Sequence, residues 1–174
     1  MKNDGYEICR GDAEEGYRFL WHMIRHIGDP EAARIVPVSP AFFLTSQAER
    51  CSEAVLARTA EMVVGVATLF FEGLCRDERP QIGTLYVLPA HRRRGLAFRL
   101  LKEAVRRIHE ETRQKVFIDC VTSPMHDAIN KLRRREPALG ALVVEQATYR
   151  SGEEGLSWEA DLRLDDSLGP RAGE

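Results

Sequence analysis

The run Gln81-Ile-Gly-Thr-Leu-Tyr-Val-Leu-Pro-Ala-His-Arg-Arg-Arg-Gly-Leu-Ala-Phe-Arg-Leu-Leu, ending at Leu101, constrains the fold more than any other part of the chain. An apolar strand leads into a turn rich in arginine and glycine, and the turn opens an amphipathic helix. The first amides of a helix have no partner within it, and the helix dipole places partial positive charge there. A phosphate fits such an end without further machinery. Gly95 allows close backbone approach or a positive φ, and Ala97 is too small to block it. Arg92, Arg93 and Arg94 add positive charge.

The spacing Arg92-x-x-Gly95-x-Ala97, behind a strand ending in Tyr86-Val87-x-Pro89, resembles the acetyl-CoA signature of the GNAT superfamily of N-acetyltransferases. The pattern there is Arg or Gln, two residues, Gly, one residue, then Gly or Ala. Such a short pattern alone recurs by chance. The preceding strand, the proline and the leucine-rich helix make the composite specific. Without the resemblance, the same stretch reads as a βα turn carrying a solvated arginine run.

At 174 residues the chain suits one domain with a sizeable core. That domain is expected over residues 1–164, with 165–174 a polar, disordered tail. A formal net charge of −2 argues against nucleic acid or a membrane surface as partner. Positive charge is local instead: between Arg92 and Arg107 the only acid is Glu103, which suits a multiply phosphorylated ligand. The four cysteines, Cys9, Cys51, Cys75 and Cys120, have no metal-ligand spacing, and a disulfide framework is not expected. Cys9 and Cys120 lie in apolar stretches and read as buried thiols. The start, Met1-Lys-Asn-Asp-Gly5, lacks the apolar segment of a signal peptide, and the longest apolar run, 62–71, is too short to span a bilayer. A cytoplasmic location is the resulting expectation.

The patterning predicts a strand at 6–10, then a helix capped by Asp12 and stopped at Gly28-Asp-Pro30. A loop over 31–40 and a helix from Ser39-Pro40 to about Arg50 follow. Runs 54–59 and 62–71 form a hairpin around Ala60-Glu61, and 81–87 is the next strand. The helix from 95 to 111 turns Ala97, Leu100, Leu101, Ala104, Val105 and Ile108 inward, with Arg99, Lys102, Arg106 and Arg107 opposite. A strand at 116–121, a helix from Ser123 to Arg135 ended by 137–140, and a hairpin of 141–150 with 156–164 complete the order.

The resemblance implies an α/β sandwich: a mixed, mostly antiparallel sheet of about seven strands, about four helices and a splayed central strand pair. Strand 81–87 would part from strand 116–121, and the pantetheine arm of acetyl-CoA would lie between them, bonded to the main chain of Leu85, Tyr86 and Val87 like an added strand. The side chain of Tyr86 reads equally as a core aromatic. The pyrophosphate would sit on the amides of Arg93, Arg94, Gly95, Leu96 and Ala97, with Arg92 either pairing within the turn or touching a phosphate. Acetyl-CoA is therefore the implied cosubstrate, no metal is implied, and a homodimer is compatible. His91 reads as a solvated turn residue.

Acetyl transfer needs an oriented thioester, a neutral amine and a stabilised oxyanion and thiolate. The backbone amide near Val87 matches the oxyanion donor that the resemblance implies. The glutamate base of histone-acetylating members falls at Gln81, which cannot act as a base, and the tyrosine acid of many members falls at Leu132. The Gly-Phe that ends that helix is replaced by Glu136-Pro-Ala-Leu-Gly140. Glu72 at a strand end and Asp119 inside one are alternative acids; each also has a structural reading, as an exposed end or a paired charge. His22 and His26 share a helix face without a third metal ligand, and Arg133, Arg134 and Arg135 read as a solvated helix end or a contact to the cofactor 3′-phosphate. The catalytic residues are left unassigned. The leading reading is an acetyl-CoA-dependent N-acetyltransferase acting on a primary amine of a small molecule or peptide by direct attack in a ternary complex. Acyl-CoA binding without turnover is the alternative, and nucleic-acid binding the poorest fit.

Overall fold

A computed structural model describes residues 5–26, 50–72, 79–120 and 123–147, the side chains of 21, 23–26, 119, 120, 123, 146 and 147 excepted. The expected loop and helix over 31–49, the strand at 156–164, the tail, and the side chains of His26 and Asp119 lie outside the described residues.

The described strands form one sheet in the order of the chain: β1 (Glu7–Gly11), β2 (Glu53–Arg58), β3 (Val63–Phe70), β4 (Gln81–Val87), β5 (Val116–Cys120) and β6 (Val143–Ala147). The first four are antiparallel neighbours; β5 runs parallel to β4, and β6 parallel to β5. Strands β2 and β3 are buried along nearly their whole length, as expected when helices cover both faces.

Helix α1 (Ala13–His26) begins where Asp12 Oδ1 accepts the amide of Glu15 at 2.7 Å, the cap that the sequence suggests. It lies close on the sheet at Gly16, where a Cβ would come 2.8 Å from that of Ala54 and near Val66 and Thr68. Helix α2 (Leu96–Thr112) covers the other face, since Gly65, out of phase with Val66, faces Leu100. Its buried side chains are Leu96, Leu100, Leu101, Ala104, Val105 and Ile108. Each large one contributes roughly 1.5–3 kcal/mol by leaving water. The expected core position Ala97 is only half-buried, and Leu96 takes the buried place. Helix α3 (Ser123–Arg135) packs beside α2, and Pro137, rather than merely ending it, opens a short helix α4 (Pro137–Gly140).

The β2–β3 hairpin closes through Thr59, not through Ala60-Glu61 chemistry. Thr59 Oγ1 accepts the amides of Glu61 and Met62, each at 3.2 Å, while Thr59 N donates to Met62 O at 2.9 Å. Cys9 is half-buried rather than fully buried, as is Cys51. Cys51 donates to the Glu53 carbonyl at 3.2 Å, and burial pushes its thiol up to about 11. Among the described residues, no helix is long and apolar enough to cross a membrane.

Candidate functional site

Strand β4 creates the site by leaving its neighbour. It pairs with β5 only at Gln81↔Phe117 and Ile82↔Ile118, supported by Phe117 N to Pro80 O at 2.8 Å. On its other side, Leu69 faces Ile82 but Ala67 faces Leu85, so Gly83 and Thr84 together oppose Thr68. That is a bulge in β4, starting at the residue after the last β5 pair. A bulge bends its strand and raises its twist, which carries 83–87 away from β5. Glycine is required there: a Cβ at Gly83 would lie 2.3 Å from the Phe70 ring. Thr68 Oγ1 accepts the amide of Thr84 at 2.8 Å, replacing the ladder bond that the bulge removes. Gly83 is the sequence signal for this feature, since a lone glycine in a strand marks bulges or close approach.

Antiparallel bonding alternates along the strand. Leu88 N donates to Val64 O at 2.9 Å, so Tyr86 and Val66 form the next bonded pair toward β5. The main-chain groups of Tyr86 therefore face β3, and those of Leu85 and Val87 face the gap. Arg92 Nε donates to the Val87 carbonyl at 2.9 Å. What remains open toward the gap is the Val87 amide and both main-chain groups of Leu85. The Tyr86 side chain is 2% exposed, in the core beside Phe19, so its reading as a core aromatic holds.

After β4 a 3-10 turn, Pro89–His91, leads into the arginines. Arg93 (φ 59) and Gly95 (φ 76) are both left-handed, and Gly95 precedes α2 directly. For Arg93 this conformation costs about 1–2 kcal/mol, the kind of strain held at functional sites. The first helical bond is Arg99 N to Gly95 O at 3.1 Å, so the amides of Leu96, Ala97 and Phe98 precede the ladder and open the positive end of the helix dipole.

A cleft of about 740 Å³ joins these parts. Leu85, Tyr86 and Val87 line one wall; Arg92, Arg93, Gly95, Leu96 and Ala97 form one end, and Met125, Ala128 and Lys131 of α3 face them. Thus eight of the nine residues singled out by sequence meet in one cavity; Arg94 lies exposed beside it, its guanidinium 5.7 Å from the Tyr6 ring. Arg92 takes the pairing role within the turn, with its guanidinium also 5.3 Å from the Tyr86 ring.

Sequence reasoning missed Tyr6. Its hydroxyl meets His91 Nδ1 at 3.0 Å, and its carbonyl accepts from Arg99 at 2.9 Å. His91 is thus not a solvated turn residue but half-buried and fastened to the start of β1. The separation of 85 residues hides this contact from local patterns.

The basic run also behaves differently from expectation. Lys102 pairs with Glu136, Arg106 with Glu103 and Glu110, and Arg107 with Glu53 (2.5 Å) and Glu111 (2.7 Å). With Arg99, bonded to the Tyr6 carbonyl, Lys102 and Arg107 tie α2 to its surroundings, while Arg106 pairs along the helix itself. Hydrogen bonds to Glu53 and then Glu111 hold the Arg107 guanidinium well above its ordinary pKa. Arg133 pairs with Glu145 at 2.8 Å and so is not merely solvated. Leu132, at the position of the tyrosine acid of many members, is fully buried. Glu72 is exposed and Gln81 half-buried. His22 is exposed, and among the described residues no three His, Cys, Asp or Glu side chains gather as a metal site.

No curated protein sequence matches the chain. Among solved structures, an aminoglycoside acetyltransferase, meta-AAC0020, from an uncultured soil metagenomic sample and in complex with sisomicin is 16% identical; the match covers 88% of this chain and 99% of that one, with a TM-score of 0.50. A ribosomal-protein-alanine N-acetyltransferase from Brucella melitensis biovar Abortus 2308 is 18% identical over 84% of this chain and 96% of that one, at a TM-score of 0.48. The first of these shares the expected sandwich fold, with its open mixed sheet. The model of the Acetyltransferase (GNAT) family matches residues 21–135, a span that contains β4, the arginine turn, α2 and α3. With well over half the chain matched, and every cleft residue inside the match, the protein belongs to the GNAT family and is an N-acetyltransferase.

Proposed function

We propose that the protein transfers the acetyl group of acetyl-CoA to a primary amine of a small molecule or peptide, by direct attack in a ternary complex. One observation carries this reading: the bulge at Gly83–Thr84 opens β4 from β5, and the opened strand runs straight into an uncapped helix N-terminus. The donor set suits the cosubstrate. Main-chain groups of Leu85 and Val87 offer strand-like bonds to an amide-bearing arm, and the amides of the turn with Arg93 suit a pyrophosphate. Charge-assisted bonds of roughly 1.5–3 kcal/mol each, several together, reach the ~8 kcal/mol that micromolar binding needs.

The chemistry assigned to the chain itself is limited. The Val87 amide, directed away from β3, supports the role of oxyanion donor as the amine nitrogen attacks the thioester carbon. The carbon–sulfur bond then breaks, CoA leaves as thiol, and the proton lost from nitrogen balances the one gained by sulfur. Arg92 donates to the carbonyl of the same residue, on the same side of the strand, and so restrains the backbone that carries this amide. Titration calorimetry with acetyl-CoA, followed by thiol release across an amine panel, tests the proposal. Saturable binding with acceptor-dependent thiol release is expected; tight binding without release from any amine would leave only a ligand-holding role.

A further inference from the structure

Resting on the acetyl-CoA reading, we infer that Tyr6 is a positioning residue for the cosubstrate: from outside the cleft it holds the arginine turn in the shape a pyrophosphate meets. The reason lies in the turn's own strain. Arg93 stands in the left-handed region at φ 59, a conformation that a residue with a side chain leaves unless its surroundings hold it. A turn free to relax would aim its amides at the ligand only part of the time, and the apparent affinity would fall by that fraction.

Tyr6 touches the chain on both sides of Arg93. Before it, the hydroxyl meets His91 Nδ1 at 3.0 Å, with the two rings edge to face at 87°. After it, the Arg94 guanidinium lies 5.7 Å from the Tyr6 ring centre, within reach of a cation–π contact. In the first turn of α2, Arg99 donates to the Tyr6 carbonyl at 2.9 Å. Tyr6 is 8% exposed, so water competes little for these contacts. The residues that follow it, Glu7 to Gly11, all pair with β2, which fastens the brace to the sheet. Tyr6 does not line the cleft, whereas His91 does. Its influence on a ligand therefore passes through His91 and the turn. A tyrosine that only filled the core would support stability and leave affinity alone.

Calorimetry with CoA tests this on the native chain, Tyr6→Phe, His91→Leu and the double variant, with thermal melts to confirm that each is folded at the titration temperature. Tyr6→Phe keeps the buried ring and removes only the hydroxyl. It should bind CoA roughly threefold to tenfold more weakly, the worth of one neutral hydrogen bond. His91→Leu should also weaken CoA, and in its background Tyr6→Phe should have no further effect, since two residues that act through one contact are not additive. Native affinity in Tyr6→Phe, or an undiminished loss when it is added to His91→Leu, would overturn the positioning role and leave the acetyl-CoA reading intact. Failure of native protein to bind CoA would overturn both.

Discussion

Replacing Gly95 separates the demands of the fold from those of the ligand. Gly95 has φ 76° and ψ 8°, and a Cβ built there meets no atom within 4 Å. Alanine therefore brings no clash, only the left-handed penalty of about 1–2 kcal/mol. For a chain of this size that lowers the melting temperature by roughly 2–8 °C. Gly95 lines the cleft, and its added methyl would stand in space that no protein atom fills. If a pyrophosphate approaches these amides to about 2.9 Å, the methyl costs at least one charge-assisted bond. That loss, roughly 1.5–3 kcal/mol, weakens acetyl-CoA about tenfold to a hundredfold. Gly95→Glu adds repulsion between carboxylate and phosphate and should abolish detectable binding in a protein that still folds. Thermal melts report the first effect and calorimetry the second. The refuting result is a Gly95→Ala protein that melts earlier as calculated yet binds acetyl-CoA with native affinity, because the ligand would then not touch the turn.

Gln81→Ala should leave turnover nearly unchanged, as Gln81 sits in the only paired part of β4 and β5; a loss of several orders of magnitude in steady-state rate would place it in the chemistry. Arg107→Gln should destabilise by about 1–3 kcal/mol in urea titrations, since its 13%-exposed side chain joins Glu53 of β2 to Glu111 of α2; a negligible change would mean the pairing is solvent-screened. Glu145 feels burial, which raises its pKa, but hydrogen bonds from His126 and Arg133 outweigh it and hold the carboxyl below its usual value. A depressed carboxyl stabilises the fold above its unfolded pKa, about 4.3, and loses that contribution as pH falls through the folded value. Stability measured by denaturant from pH 6 to 3 should thus fall less steeply for Glu145→Gln than for native protein; parallel curves would exclude the linkage.

Much of the fold was legible because its signals are local. Apolar runs marked β2, β3 and β4, the helical spacing from Leu100 to Ile108 marked α2, and Asp12 marked the start of α1. Errors came where a side chain outvotes composition. The β2–β3 hairpin was placed correctly, but the group that closes it was not seen, since the Thr59 hydroxyl sits one position before Ala60-Glu61. Pro137 looked like a stop because the short helix it opens has no apolar period of its own.

The site divides along the same line. Its turn is made of backbone, and the conformation of a few consecutive residues writes itself into sequence as glycine, alanine and arginine. Its gap is also backbone, and Gly83 records it, although the meaning of that glycine depends on Phe70 and Thr68 across the sheet. Charges on α2 misled because a helix lists its cations without their partners, and those partners sit on β2, on Glu136 and on the helix itself. The brace from Tyr6 to His91 joins segments remote in the chain, so only folding brings them together. A cosubstrate that is gripped by main-chain amides leaves side chains free to vary. The family could be read from one turn because that turn's demands, a left-handed glycine and a small residue beside it, are demands of the backbone.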